Sequence, residues 1–161
     1  MKAYKWVIIL LNLVALFSFL NFSIFKKERL LAEGKLILIA LAPVDPRSLM
    51  QGDYMTLSYA IAQGEQMDEM PKRGYYVVKV DEQGIAQKQR LQGNKTPLNK
   101  DEYLIVYTTG KWNLNIGAEA FFFQEGQAEK YATSKYGGLM VDQYGNSILV
   151  GLYDENRKKI E

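Results

Sequence analysis

Residues 45–59 read DPRSLMQGDYMTLSY. Their reading decides between a β-domain that turns a corner here and an enzyme with a cluster of catalytic polar groups. Asp45 before Pro46 has the form of a helix start: a carboxylate at the cap accepts from free backbone N–H groups, and proline at the first helical position has no N–H to leave unpaired. One helical turn through Leu49 is expected. Gly52 then supplies a left-handed residue that stops the turn. Asp53 is placed to bond backbone amides at that corner, and Arg47 to pair with Asp45 or Asp53. From there a period of two sends Met55, Leu57, Tyr59 and Ile61 to one face and Tyr54, Thr56 and Ser58 to the other. Every residue of the stretch has an architectural task, and the task is to lead into a strand.

Working outward, the run KLILIALA at residues 35–42 is apolar on both faces and predicts a central strand. Residues 55–61 predict a second strand. Residues 75–80 and 85–91 flank a DEQG turn as a hairpin. Strands are expected at 103–109, 112–116 and 120–124, and a last hairpin joins 138–142 to 147–153 through QYGN. Residues 126–135 place Ala128, Tyr131, Ala132 and Lys135 at helical spacing, which predicts one short helix lying on a sheet. The fold class is therefore mainly β: an antiparallel β-rich domain, barrel or sandwich-like, with one short helix.

The 161 residues contain no cysteine and no histidine. That excludes Cys nucleophiles, Ser-His-Asp triads, haem with His ligands and the usual zinc sites, and no metal or cofactor is expected. Asp45, Asp53, Glu119 and Glu125 fit neither an EF-hand nor another fixed carboxylate motif, and capping or solvated roles suit them better. Residues 1–33 carry five of the 20 Lys and Arg against two of the 18 Asp and Glu, which leaves residues 34–161 slightly acidic. A nucleic-acid binder places its excess positive charge in the folded domain, so nucleic acid is not an expected partner.

Residues 6–25, WVIILLNLVALFSFLNFSIF, hold no charge. At about 1.5 Å per residue they match the roughly 30 Å hydrocarbon core of a bilayer. Tyr4 and Trp6 at one end and Lys26, Lys27 and Arg29 at the other suit the two interfaces. Ala40-Leu41-Ala42 has the small-x-small form of a cleavage site, but Pro43 follows it and a strand-like run precedes it. The reading is an uncleaved signal anchor over residues 1–26, a short linker at 27–34, and the β-rich domain at 35–161. Charges on the two flanks nearly balance, and the short tail before Trp6 favours a cytoplasmic N-terminus with the domain outside the inner membrane. Asn12, Ala15, Phe19 and Ser23 share a helix face of the kind that lets spans approach one another.

Gly52-Asp53-Tyr54, Leu57 and Tyr59 match letter for letter the motif of the bacterial GDYXXLXY family, and the preceding VDPRSLMQ is similar to its usual lead-in. The likeness resumes at Phe121-Phe122-Phe123-Gln124-Glu125-Gly126, Tyr131, Tyr136-Gly137 and Gly151-Leu152, and so covers nearly the whole domain. The resemblance implies a membrane-anchored envelope protein, often encoded beside a polytopic membrane protein that is its expected partner, and it brings no reaction with it. It makes Asp45, Arg47, Gly52, Asp53, Tyr54, Leu57, Tyr59, Phe123, Gln124, Glu125, Gly126, Tyr131 and Tyr136 the candidate site.

A second outline belongs to another class. Type I signal peptidases also join an N-terminal span to a β-rich domain, with a serine shortly before a Gly-Asp and a lysine base in a later strand. Ser48 with Lys72 or Lys79 resembles that arrangement, but no methionine follows Ser48, and period two does not favour an inward Lys79 between Val78 and Val80. A binding or accessory protein is thus expected, with a membrane-anchored Ser-Lys hydrolase as the alternative; the oligomeric state is open. Eleven tyrosines support recognition, since tyrosine offers contact area and a hydrogen bond at low entropic cost. Three consecutive phenylalanines cannot share one face of a strand, so either both faces of that segment are covered or one meets a partner.

Overall fold

The computed structural model describes residues 3–42, 54–64, 70–110 and 114–161. Helix α1 spans Ala3–Glu33, about 46 Å at 1.5 Å per residue. Its apolar side chains are exposed along the whole charge-free segment. The amides of Asn12 and Asn21 each donate back to the helix, to the carbonyls of Ile8 and Phe17 at 2.9 and 2.8 Å. The charged stretch at 27–34, read as a linker, is helical through Glu33. Arg29 and Glu33, one turn apart, pair at 2.8 Å, the i,i+4 geometry that supports a helical face. Leu30 is buried against the domain, and Gly34 ends the helix, its N–H bonding Leu30 O at 3.0 Å.

Among the described residues nine strands form three antiparallel sheets that do not close into a barrel. Strand β1 (Lys35–Ala40) pairs with β8 (Tyr136–Val141), which pairs with β9 (Ser147–Tyr153). Strand β2 (Tyr54–Thr56) pairs with β7 (Ala120–Phe122). The largest sheet runs in the order β4 (Ala86–Gln92), β3 (Arg73–Val80), β5 (Glu102–Thr109), β6 (Leu114–Asn115). The helix expected across residues 126–135 is the single turn α2 (Ala128–Tyr131).

The central strand of the first sheet is β8, not β1 as the apolar pattern predicts. The outer edge of β1 is nevertheless covered, because Leu38 N–H bonds Gly84 O at 2.9 Å in a parallel bridge to the β3–β4 turn. This explains why Ile37, Leu38 and Ile39 are buried on both faces. Ladder bonding in the segment expected as a strand at 55–61 stops at Thr56, and Ala60–Ala62 form a 3₁₀ turn. Even so, Met55, Leu57, Tyr59 and Ile61 are buried while Tyr54, Thr56, Ser58 and Ala60 are exposed, the alternation that period two predicts. All four inward residues join one core with Ile37, Ile39, Tyr76, Val78, Ile105, Tyr107, Leu139 and Leu152.

Two hairpin turns use the same chemistry. Asp81 Oδ1 accepts from Gln83 N–H and Ile85 N–H, and Asp142 Oδ1 from Tyr144 N–H and Asn146 N–H, all at 2.8–2.9 Å. The left-handed position goes to Gly84 and Gly145, where a side chain would be strained.

Between β4 and β5, residues 93–101 are held by a carboxylate clamp. Arg90 grips Glu102 through two bonds of 2.6 and 2.8 Å, Asn99 N–H adds a third at 2.8 Å, and Arg90 Nη2 donates to Pro97 O at 3.1 Å. The guanidinium, followed by the Asn99 amide, holds the Glu102 carboxyl at about 2, below its ordinary 4.5. A depressed carboxyl contributes stability above its unfolded pKa and loses it as pH falls through the folded value. Thermal melts of wild type and Glu102→Gln should therefore differ near neutral pH and converge between about pH 4.5 and pH 2. An unchanged gap across that window would show that the clamp does not act through charge.

Candidate functional site

The described part of the motif begins on the small β2–β7 sheet at Tyr54 and runs past its end to Tyr59, and its two faces do different things. On the inner face Leu57 and Tyr59 are buried beside Met55. Leu57 N–H bonds Glu119 O at 2.7 Å, and the Tyr59 hydroxyl donates to Ala118 O at 2.6 Å. A backbone bridge from Tyr59 to Leu41 continues the line of β1. The Tyr59 ring covers Gly137 so closely that a Cβ there would sit 2.9 Å from Cε1. Tyr59 thus fastens together three chain segments that are distant in sequence. Burial, and behind it the Glu119 carboxylate, pushes its phenol well above the ordinary tyrosine range, so it is a neutral donor and not a titrating catalyst.

Glu119 completes this lock. Its carboxylate accepts from Ile116 N–H and from Gly117 N–H, and the Ser147 hydroxyl donates to Ile116 O at 3.1 Å, tying the start of β9 to the same loop. Glu119 is a turn anchor, in keeping with the capping role expected of the acidic residues.

The outer face is the reverse. Tyr54 and Phe122 are cross-strand partners with ring centroids 5.7 Å apart, and they are 38% and 73% exposed. The phenylalanine run therefore splits. Phe121 and Phe123 turn inward on Tyr131, with centroids 4.9 and 5.5 Å from its ring, while Phe122 turns out beside Tyr54. Sequence reasoning placed Phe123 among the site residues and passed over Phe122. Alternation along β7 separates Phe122 from its neighbours, but only the register with Tyr54 reveals which side is left open.

Of the other candidates, Gln124 bonds Gln127 through both backbone and side chain at 3.1 and 3.2 Å. Glu125 and Gly126 form an exposed turn with Gly126 at positive φ. Tyr131 is buried under the Phe121–Phe123 pair, and Tyr136 is half-buried at the start of β8. Asp45, Arg47, Ser48, Gly52 and Asp53 lie outside the described residues. Lys72 and Lys79 are both exposed.

The large sheet contributes a buried tyrosine pair that the sequence did not single out. Tyr76 and Tyr107 lie 5.2 Å apart, and the Tyr76 hydroxyl finds no hydrogen-bond partner among the described residues. Burial, with Tyr107 adding to it, pushes Tyr76 up to about 12.

These features define a mainly β protein carried on one N-terminal helix that is long and apolar enough to cross a membrane, its motif divided between a buried tyrosine lock and an exposed aromatic pair. The chain belongs to the GDYXXLXY family, whose family model matches residues 16–152. No curated protein and no solved structure matches it.

Proposed function

We propose that this is a non-catalytic binding or accessory protein of the bacterial envelope. In this reading an uncleaved α1 anchors it in the inner membrane, the domain faces away from the cytoplasm, and the β2–β7 outer face engages a polytopic membrane protein. The observation that carries the reading is the Tyr54–Phe122 pair. Two large rings are left in solvent on a sheet whose opposite face is fully used by the core. Exposed aromatic pairs of this kind are the usual anchors of protein interfaces. Tyr54 belongs to the motif and Phe122 to the second block of the resemblance, so both halves of the family pattern meet at this surface. A hydrolase needs a lysine desolvated enough to act as a base near neutral pH. The exposure of Lys72 and Lys79 favours binding over that alternative.

Full-length protein solubilised in mild detergent should bring down a polytopic membrane protein. Tyr54→Ala with Phe122→Ser should reduce that recovery at least several-fold while the melting temperature stays near wild type. Undiminished recovery in the double variant removes this surface from the reading, and loss of cellular function in a folded Ser48→Ala protein points to the hydrolase. Alkaline phosphatase fused after Glu161 should be active, and activity of a cytoplasmic reporter at that position would invert the orientation.

A further inference from the structure

The domain is mounted on its helix without slack. Phe25 closes the charge-free segment and Leu30, five residues on, is already buried in the domain. At 1.5 Å per residue that is about 7.5 Å, comparable to the roughly 5–8 Å of headgroup region on each side of a bilayer. Gly34 is the one residue between α1 and β1. Whatever part of the domain surrounds Arg29 and Leu30 is therefore held at headgroup depth.

The β8–β9 turn occupies that position. Val141, the last residue of β8, pairs with Lys35 directly after the helix, and Tyr144 at the tip of the turn is 51% exposed. Lys95, on the loop gripped by the Arg90–Glu102 clamp, puts its ammonium 4.8 Å from the centre of the Tyr144 ring. Two of the nearby acids are occupied: Asp142 accepts from Tyr144 N–H and from the backbone and side chain of Asn146, and Glu33 pairs with Arg29. Lys26 and Lys27 add positive charge on the helix just below. An exposed amphipathic ring with a cation beside it is the composition favoured at a membrane–water interface.

We propose that the 142–146 turn and Lys95 seat in the phospholipid headgroup layer of the membrane that α1 crosses, with Tyr144 in the layer and Lys95 on lipid phosphates, fixing the tilt of the domain and hence the direction in which the Tyr54–Phe122 surface points. The inference rests on the reading of α1 as a membrane span. The cysteine-free chain allows a single environment-sensitive fluorophore at Gln143→Cys, or at Glu155→Cys beyond the far end of β9, whose seven residues separate the two sites by about 20 Å.

Full-length labelled protein is reconstituted in phosphatidylcholine vesicles, with and without phosphatidylglycerol, and quenched by a headgroup nitroxide lipid. Quenching at position 143 should be several-fold stronger than at 155, should rise with phosphatidylglycerol, and should fall when Lys95→Glu is added. Equal quenching at the two positions overturns the proposal, as does indifference to Lys95→Glu in a protein that melts like its parent. Protein that fails to float with the vesicles refutes the spanning helix itself, whereas protein that floats without quenching at 143 refutes only the seating.

Discussion

Tyr59→Ala should destabilise the domain by about 3–5 kcal/mol, the cost of truncating a large buried aromatic. The ring is 3% exposed and lies directly over Gly137, where a Cβ would meet its Cε1 at 2.9 Å. The substitution also strands the carbonyl of Ala118, which accepts the Tyr59 hydroxyl at 2.6 Å, and a buried acceptor without a partner costs about 1–3 kcal/mol more. Small domains are stable by about 5–15 kcal/mol in all, so the variant should be partly unfolded at growth temperature. Tyr59→Phe separates the two contributions, since it keeps the ring and loses only the hydrogen bond. Thermal melts of the full-length chain in detergent should rank wild type above Tyr59→Phe, and Tyr59→Phe well above Tyr59→Ala. If the phenylalanine variant falls as far as the alanine one, the hydroxyl and not the packing holds the motif in place. If neither moves the melt, the lock described here is not what stabilises the domain.

What could be seen beforehand was what is local in the chain. The inward set Met55, Leu57, Tyr59 and Ile61 follows from a pleat of period two, and it persists past Thr56, where ladder bonding stops. DEQG and QYGN announce their turns because an aspartate bonding amides further on and a glycine at positive φ are properties of a few consecutive residues. Non-local pairing was not legible. The apolar run at 35–42 is equally apolar whether its strand lies at a sheet centre or at an edge covered by another turn, and the structure chooses the second. Charges at Lys26, Lys27 and Arg29 looked like the end of a helix, yet charged side chains are tolerated on an exposed helical face, and Arg29 with Glu33 supports one. At the candidate site, the separation of Leu57 and Tyr59 from Tyr54 was readable from alternation. The partnership of Tyr54 with Phe122 depends on the register of two strands far apart in the chain, and no local rule supplies it.

Gly138→Val should be the most damaging substitution outside the motif, costing about 3 kcal/mol or more, at or beyond the upper end of ordinary overpacking. Gly137 and Gly138 each lie beneath a tyrosine ring, Gly137 beneath Tyr59 and Gly138 beneath Tyr153. A Cβ on Gly138 would run into Cε2 of Tyr153, with Cδ2 at 3.0 Å and Cζ at 3.1 Å. Neither side has an easy retreat. Gly138 is pinned between Leu38 on β1 and Gly151 on β9, at the point where the β8–β9 register shifts, and Tyr153 is buried, its carbonyl accepting Lys135 N–H at 2.8 Å. The same sheet carries Leu139 and Leu152 into the core. Because the damage is a collision, it should be relieved by shrinking the other partner. Gly138→Val combined with Tyr153→Ala should melt higher than the sum of the two single losses implies, a coupling that contacting residues show and distant ones do not. Strictly additive losses would place the strain elsewhere in β8. Recovery in the double variant would show that Gly138 is a glycine because the Tyr153 ring lies flat on β8 there, as the Tyr59 ring does on the neighbouring Gly137.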